Sequence, residues 1–398
     1  MNNNQNFHIP ENTHTPCYIY SPKQAITNLQ FFQKQLKEID NLIAFSVKSC
    51  NNKSIVRSLI ENGSGIDCVS FGEMKLAVEC GCSPQKIVLA GVGKTDDEIS
   101  FAIQNQILQI NVESTEEMLV IQEIAHKLGK TVNIALRVNP HLKVESYTHE
   151  KITTGKIGNK FGIDITDISS TLTILKTCKN LHFNGFSCHI GSQILDVSLF
   201  ENAFDILTGL IQETESKGFE FKTIDFGGGI GIHYKKDDET FNYTRYVNAV
   251  KKCLSSIKSK PLSIFEPGRS ISANAGILVA KVLYIKNTSH TKFAIIDAGM
   301  QNLIRPAMYG SFHEIIPIEF DNSKPQETYT IVGPICESSD IFAKNYQMQE
   351  LKRGDLVAIL NAGAYGEVMS SNYNLRQLTI TNKNDTLPCV SNQQNDSK

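Results

Sequence analysis

The run TIDFGGGIGI (Thr223–Ile232) opens as a short β-branched strand and then breaks into glycine at Gly227, Gly228, Gly229 and Gly231. Two folds place glycines in such a position. A dinucleotide-binding turn read in the GxGxxG frame from Gly227 needs glycine or alanine at 232, where Ile232 stands, and an acidic strand residue about 20 positions on, which is missing. A (β/α)8 barrel instead uses glycines after its seventh and eighth strands to bind a phosphate through bare backbone N–H groups. The run LSIFEPGRS (Leu262–Ser270) supplies the second of these turns, with Gly268.

On either side of these runs the chain repeats one format from about residue 40 to residue 266: an apolar strand, a polar or glycine turn, then a segment of helical period. Strands are expected to begin near Leu42 (LIAFSVK), Ile66 (IDCVS), Ile87 (IVLA), Leu108 (LQINV), Val132 (VNIALRV), Phe183 (FNGFSCHI), Thr223 and Leu262. Helices are expected from Gly72 to Cys80, Thr115 to Leu128, Leu199 to Lys217 and Tyr243 to Lys258. Eight strands alternating with helices over roughly 225 residues predict an α/β fold, a closed (β/α)8 barrel. The one long gap, between the fifth and sixth strands, holds a Thr/Lys/Gly-rich segment from His141 to Gly162. After Arg269 the runs ILVAKVLYIK, KFAIID, YTIVG and DLVAILN, broken by Gly, Pro and Asn, predict a second, all-β domain. The expected organisation is a disordered tail over 1–14, an N-terminal segment over 15–38 packing with the β domain, the barrel over 39–270, the β domain over 271–385 and a disordered tail over 386–398.

The chain has 398 residues, 41% hydrophobic and 20% charged, with 39 basic and 41 acidic side chains. A formal charge of −2 with no Lys/Arg run gives no footing for nucleic acid, and no stretch approaches the roughly 18 to 20 apolar residues of a membrane helix. The opening MNNNQNFHIPENTHTP lacks the cationic and apolar regions of a secretory signal, so the expected location is cytoplasmic. Ten irregularly spaced cysteines form neither a disulfide framework nor a CxxC pair, and Cys80-Gly81-Cys82 reads as buried thiols rather than metal ligands.

Chemistry in such a barrel sits just past the C-terminal ends of the strands. There the chain places Lys48 after strand one, Asp67 and Ser70 after strand two, and Arg137-Val138-Asn139-Pro140 after strand five. His189-Ile190-Gly191-Ser192-Gln193 follows strand six, and Glu266-Pro267-Gly268-Arg269 follows strand eight. A phosphate turn and a lysine on one rim point to pyridoxal phosphate, the phosphorylated cofactor that lysine binds as a Schiff base. Its pyridine nitrogen calls for a carboxylate, which Glu266 could supply, and its ring for a flat neighbour, which His189 could supply. Taken singly, each of these residues has an ordinary structural explanation; the three together with two glycine turns on one rim do not.

These residues lie in longer strings: FSVKS (45–49), GSGIDCVSFGE (63–73), INVES (110–114), LRVNP (136–140), TTGKIGNKFGI (153–163), HIGSQI (189–194), IDFGGGIGIHY (224–234), FEPGRS (265–270), IDAGMQNLIRPAMYG (296–310), GPICESSD (333–340) and GAYGEVMSSNYN (363–374). In them the chain resembles the alanine-racemase-fold (fold type III) pyridoxal phosphate decarboxylases over roughly residues 15 to 376. The EPGR, ICES and MSSNYN strings resemble the diaminopimelate branch more than the ornithine or arginine branches.

The resemblance implies decarboxylation of meso-diaminopimelate to L-lysine, the last step of bacterial lysine synthesis. It implies that Lys48 carries the cofactor, His189 covers its ring and Glu266 pairs with the pyridine nitrogen, with Asp67 also in the cofactor site. Ser192, Gly228, Gly229, Gly268, Arg269 and Tyr365 would surround the phosphate or its approach. Arg269, Arg305 and Tyr309, with Tyr365 nearby, would grip the distal carboxylate of the substrate, Glu337 its distal ammonium, and Cys336 would protonate the carbanion. It also implies a homodimer with sites shared across the interface. A substrate with a carboxylate and an ammonium at each end requires such a donor and acceptor pair, which ornithine or lysine would leave unsatisfied. The chain departs from the family at Ser49-Cys50, where Ala-Asn is common, at His141, where an aspartate is common, across His141 to Thr148, and after Asn374. The same chemistry on a polyamine-pathway or siderophore-pathway amino acid is the alternative. A racemase would be expected to carry tyrosine in place of Cys336, and a partner-binding homologue without activity to lack Lys48 or Cys336.

Overall fold

The computed structural model describes residue 9 and residues 13–142, 158–235, 237–377 and 380–382, the last three by backbone alone. The expected terminal tails, except Ile9, Thr13 and His14, lie outside the described residues, as do 143–148 of the reshaped loop and 153–157 of TTGKIGNKFGI. The contacts divide the chain into two compact units. One comprises Leu29–Ile232 and Glu239–Ser270; the other comprises Met1–Asn28, His233–Asp238 and Ile271–Lys398.

The first unit is a closed parallel barrel. Its strands are Asn41–Ser46, Gly65–Cys68, Ile87–Leu89, Gln109–Val112, Val132–Asn139, Leu181–Ser187, Thr223–Asp225 and Leu262–Phe265. Each pairs with the next in sequence, and Ile264 beside Leu42 closes the ring. All eight stand where the sequence places them, to within two residues at their starts. A two-residue strand, Ile163–Asp164, adds to the outside of the fifth. The helices begin where cap chemistry starts them. Thr95 and Glu98 form a reciprocal capping box for Asp96–Asn105, and Ser70, Ser114 and Asp196 accept N–H groups at the starts of Phe71–Glu79, Thr115–Lys127 and Val197–Ser216.

Strand alternation sets the direction of the rim residues. Phe226 and Phe265, just before Gly227 and Glu266, stack with ring centroids 5.4 Å apart, and Phe226 also meets Phe204 of helix Val197–Ser216 at 4.9 Å. With those rings packed against the helix layer, Asp225 and Glu266 face the opposite way and are buried. Phe204→Ala would cost about 3–5 kcal/mol by analogy with other buried aromatics, and would loosen both rim strands.

The second unit holds a mixed sheet ordered Ile315–Pro317, Leu356–Ile359, Gly276–Asn287, Lys292–Ile296, Gln326–Val332, Ile341–Gln349. Strand Cys17–Tyr20 also pairs with Gly276–Asn287, and Ile380–Asn382 pairs with Cys17–Tyr20. The core includes Cys17, Ile19, Ile277, Val279, Ala358 and Leu360. Four of these strands match the β runs read from sequence. Ile341–Gln349 does not stand out in the sequence, because IFAKNYQMQ leaves most of its side chains partly or fully exposed and dilutes the apolar alternation.

Candidate active site

The barrel encloses a cavity of about 330 Å³ whose lining includes Lys48, Asn111, Arg137, Phe161, His189, Gly227 and Glu266. Lys48 sits on a single 3-10 turn, Val47–Ser49, immediately after the first strand. Its Nζ donates to Ser46 Oγ at 2.9 Å and pairs with the fully buried carboxylate of Asp67 from the second strand. Ser46 donates to the same Asp67 oxygen, so the lysine amine is held by two neighbours.

His189 follows the sixth strand. Gly228 N–H donates to its Nδ1 at 3.1 Å, which makes that nitrogen an acceptor. Burial, reinforced by Arg137 and Lys48, holds the imidazole well below its ordinary value, so the ring is neutral. Arg137, whose guanidinium lies 5.0 Å from the Phe161 ring centre, pairs with Glu113, and Glu113 accepts Gly162 N–H at 2.7 Å. The reshaped loop leaves strand five through His141, whose Nε2 lies 2.6 Å from Asp164 Oδ2.

Glu266 follows the eighth strand beside Asp225, which ends the seventh. Asp225 Oδ1 accepts Gly227 N–H at 2.9 Å, and Asn111 Nδ2 donates to Asp225 Oδ2 at 2.8 Å and to Glu266 Oε1 at 3.4 Å. Burial first, then the neighbouring carboxylates Asp225 and Asp67, push Glu266 well above the usual carboxylate range; burial likewise raises Asp225.

The glycine turn is close-packed. A Cβ on Gly228 would stand 2.0 Å from the Glu266 carbonyl oxygen; Gly229 has φ +102°, and its Cβ would stand 2.3 Å from the Gly191 carbonyl oxygen. No other residue fits either position, which leaves bare backbone at the rim. Gly268 lies against Ser46 and Ser49, and Arg269, buried, donates through Nη2 to Ser192 Oγ at 3.0 Å.

The remaining expected residues belong to the β unit. Arg305 opens the short helix Arg305–Tyr309 and is buried. Its guanidinium lies 4.8 Å from the Tyr234 ring centre, and Nη1 donates to His313 Nε2 at 2.7 Å while His313 Nδ1 donates to the Leu360 carbonyl at 2.8 Å. Tyr309, half-buried, ends the same helix. Cys336 and Glu337 are exposed on a turn anchored by buried Asp340, which accepts Ile335 N–H at 2.7 Å and Met300 N–H at 2.6 Å. Asn374 accepts Cys336 N–H, and Tyr373 donates to Glu337 at 2.7 Å. Tyr365 has a left-handed backbone, φ +56°, uncommon for an aromatic residue.

The structure thus brings Lys48, Asp67, His189 and Glu266 together with Gly227 and Gly228, and pairs Ser192 with Arg269. The sequence reading missed Asp225, Asn111, Tyr234 and His313 as functional neighbours. A charged residue inside the short buried strand TID was a usable signal for Asp225; nothing in the sequence marks His313. Cys80 and Cys82 are buried, with burial raising both thiols, and no metal-holding cluster occurs among the described residues.

Residues 23–273 match the pyridoxal-binding domain of pyridoxal-dependent decarboxylases. A diaminopimelate decarboxylase of Aquifex aeolicus is 43% identical over 91% of this chain and 84% of its own length, and one of Zymomonas mobilis is 41% identical over 92% and 86%. The crystal structure of diaminopimelate decarboxylase from Helicobacter pylori complexed with L-lysine superposes with a TM-score of 0.88 at 35% identity, covering 93% of this chain and 91% of that one. With barrel, rim and relatives in agreement, the chain belongs to the diaminopimelate decarboxylase family of pyridoxal-dependent decarboxylases.

Proposed function

We propose that this chain converts meso-diaminopimelate to L-lysine and carbon dioxide with pyridoxal phosphate as cofactor. The observation that carries the reading is the barrel cavity into which strands one, six and eight bring Lys48, His189 and Glu266. Its donor set suits the cofactor: an amine on Lys48, a neutral imidazole, a buried carboxyl and bare backbone at Gly228 and Gly229. When bound, pyridoxal phosphate supplies a conjugated ring that accepts the electron pair released with carbon dioxide.

In this reading Lys48 holds the cofactor through Nζ, and Ser46 and Asp67 orient that amine. His189 offers a flat uncharged face, Glu266 meets the ring nitrogen, and Gly228, Gly229, Gly268, Ser192, Arg269 and Tyr365 take the phosphate. Arg305, with Tyr309 and Arg269, binds the carboxylate that is kept, and Glu337 binds the remote ammonium. The bond from the α-carbon to the departing carboxylate breaks, and Cys336 gives the proton that replaces it.

The same reading makes the active form a cytoplasmic homodimer in which the Cys336–Glu337 turn serves the partner's barrel. The exposure of residues 336–339 on an anchored turn supports the sharing, and the nine described cysteines, all free thiols, support a reducing setting. Its domains are the barrel over 39–270 and the β domain over 271–385; the contact division after Ser270 supports the second boundary, whereas of the segment 15–38, expected to pack with the β domain, only the part through Asn28 groups with it and residues 29–38 group with the barrel.

Purified chain given pyridoxal phosphate and meso-diaminopimelate should release carbon dioxide and L-lysine in equal amounts, with no release from ornithine or arginine. Release from ornithine or arginine with diaminopimelate untouched would overturn the substrate while leaving the cofactor assignment standing.

A further inference from the structure

Glu266 does not stand alone behind the cavity. Asp225, from the neighbouring strand, is fully buried and does not line the cavity, yet one amide, Asn111 Nδ2, donates to both carboxyl groups. The acids select the orientation of that amide, and a chain of hydrogen bonds across the barrel interior accommodates it: Thr223 Oγ1 donates to Gln109 Oε1 at 2.7 Å, and Gln109 Nε2 donates to Asn111 Oδ1 at 2.8 Å, with the Asn111 NH2 group facing the carboxyls. The reverse polarity would turn an oxygen toward two acids and require a proton on each. Asp225 is held in turn by Gly227 N–H.

We propose that Asp225 is a positioning residue for Glu266: with Asn111 it fixes the plane of the Glu266 carboxyl, and the two acids hold one proton jointly. The site then offers one negative charge, not two, to a ring nitrogen. This rests on the pyridoxal phosphate reading of the cavity.

Two adjacent carboxylates in a buried site cannot both ionise without large repulsion, and sharing one proton between them relieves it. The charged and titratable groups facing the pair are Asp67, which adds to the repulsion, and Lys48, which opposes it. Cys188 and Tyr246 lie within electrostatic reach of Asp225 but are held uncharged by burial, Cys188 pushed up to about 12; beyond them lie neutral His189 and the Arg137 ion pair. Burial raises both acids; Asp225 raises Glu266 further, by its charge and a hydrogen bond, while the same hydrogen bond draws Asp225 back down, in line with one proton held between them.

The test is infrared difference spectroscopy of the full chain at pH 7.5, without and with pyridoxal phosphate, for wild type, Asp225→Asn and Glu266→Gln. Either substitution introduces an amide N–H in place of the shared proton and lets the surviving acid ionise. Each should therefore remove one carboxylic acid C=O stretch per chain from the cofactor-free spectrum. Asp225→Asn should also weaken pyridoxal phosphate binding roughly tenfold, read by its visible absorbance on titration. A wild-type-minus-variant difference spectrum of the cofactor-free chains that shows carboxylate bands alone for both substitutions would overturn the proposal by showing both acids ionised in the wild type. A band lost in Glu266→Gln but kept in Asp225→Asn would overturn it too, because the proton would then belong to Glu266 alone. Absence of any bound chromophore in the wild type would instead strike at the cofactor reading, and the acid band is read independently of it.

Discussion

The barrel rim and the Cys336 turn handle charge in opposite ways. On the rim, Lys48, Asp67, Asp225 and Glu266 come from four adjacent strands, the three acids are buried, and each group has a partner from another strand. On the turn, Asp340 is buried and holds the backbone, while Cys336 and Glu337 are carried outward into solvent. Burial and neighbours fix the charge state of the rim within one chain, whereas an exposed thiol gains a defined role only when another surface covers it. Arg305 stands between these extremes, being buried and clamped by Tyr234 and His313 within the β unit.

The largest break in this comparison comes from Lys48→Ala. It should abolish the visible absorbance of bound cofactor and lower carbon dioxide release by several orders of magnitude, because among the described residues that line the cavity no second lysine replaces its Nζ; a retained, borohydride-reducible chromophore would move the anchor elsewhere. A smaller effect sharpens the account of buried rim charge. Glu73, in the helix after strand two, accepts Val69 N–H at 2.8 Å, and burial raises its carboxyl to about 7. Since the folded value lies above the unfolded value of about 4.3, its protonated form contributes stability below that pH, and the contribution is lost as pH rises through about 7. Glu73→Gln should therefore flatten the fall in melting temperature between pH 5 and 7 relative to wild type. An unchanged slope would show that Glu73 is ionised throughout.

Much of the fold was legible because strand, turn and helix alternate at regular spacing, and burial on both faces makes each barrel strand an apolar run. Strand Ile341–Gln349 was not, because a half-exposed strand blurs the alternation. Among site residues, Lys48, His189 and Glu266 could be read from their places just past strand ends. Asp225 lies inside a strand, where side chains usually only pack, so its tie to Glu266 emerges from the register of strands seven and eight, which sets Asp225 beside Ile264. The partnership of His313 with Arg305 depends on a turn that brings residues eight apart to 2.7 Å, and no periodicity encodes that.

The most direct test of the division of labour is kcat/KM for carbon dioxide release from meso-diaminopimelate and from L-lysine, in wild type and Arg305→Ala, with the chromophore monitored in both. If the barrel sets the chemistry and Arg305 reads the distal carboxylate, the variant keeps its chromophore, and its preference for diaminopimelate over lysine falls roughly a hundredfold. An unchanged preference, with both substrates losing equally, would contradict that assignment.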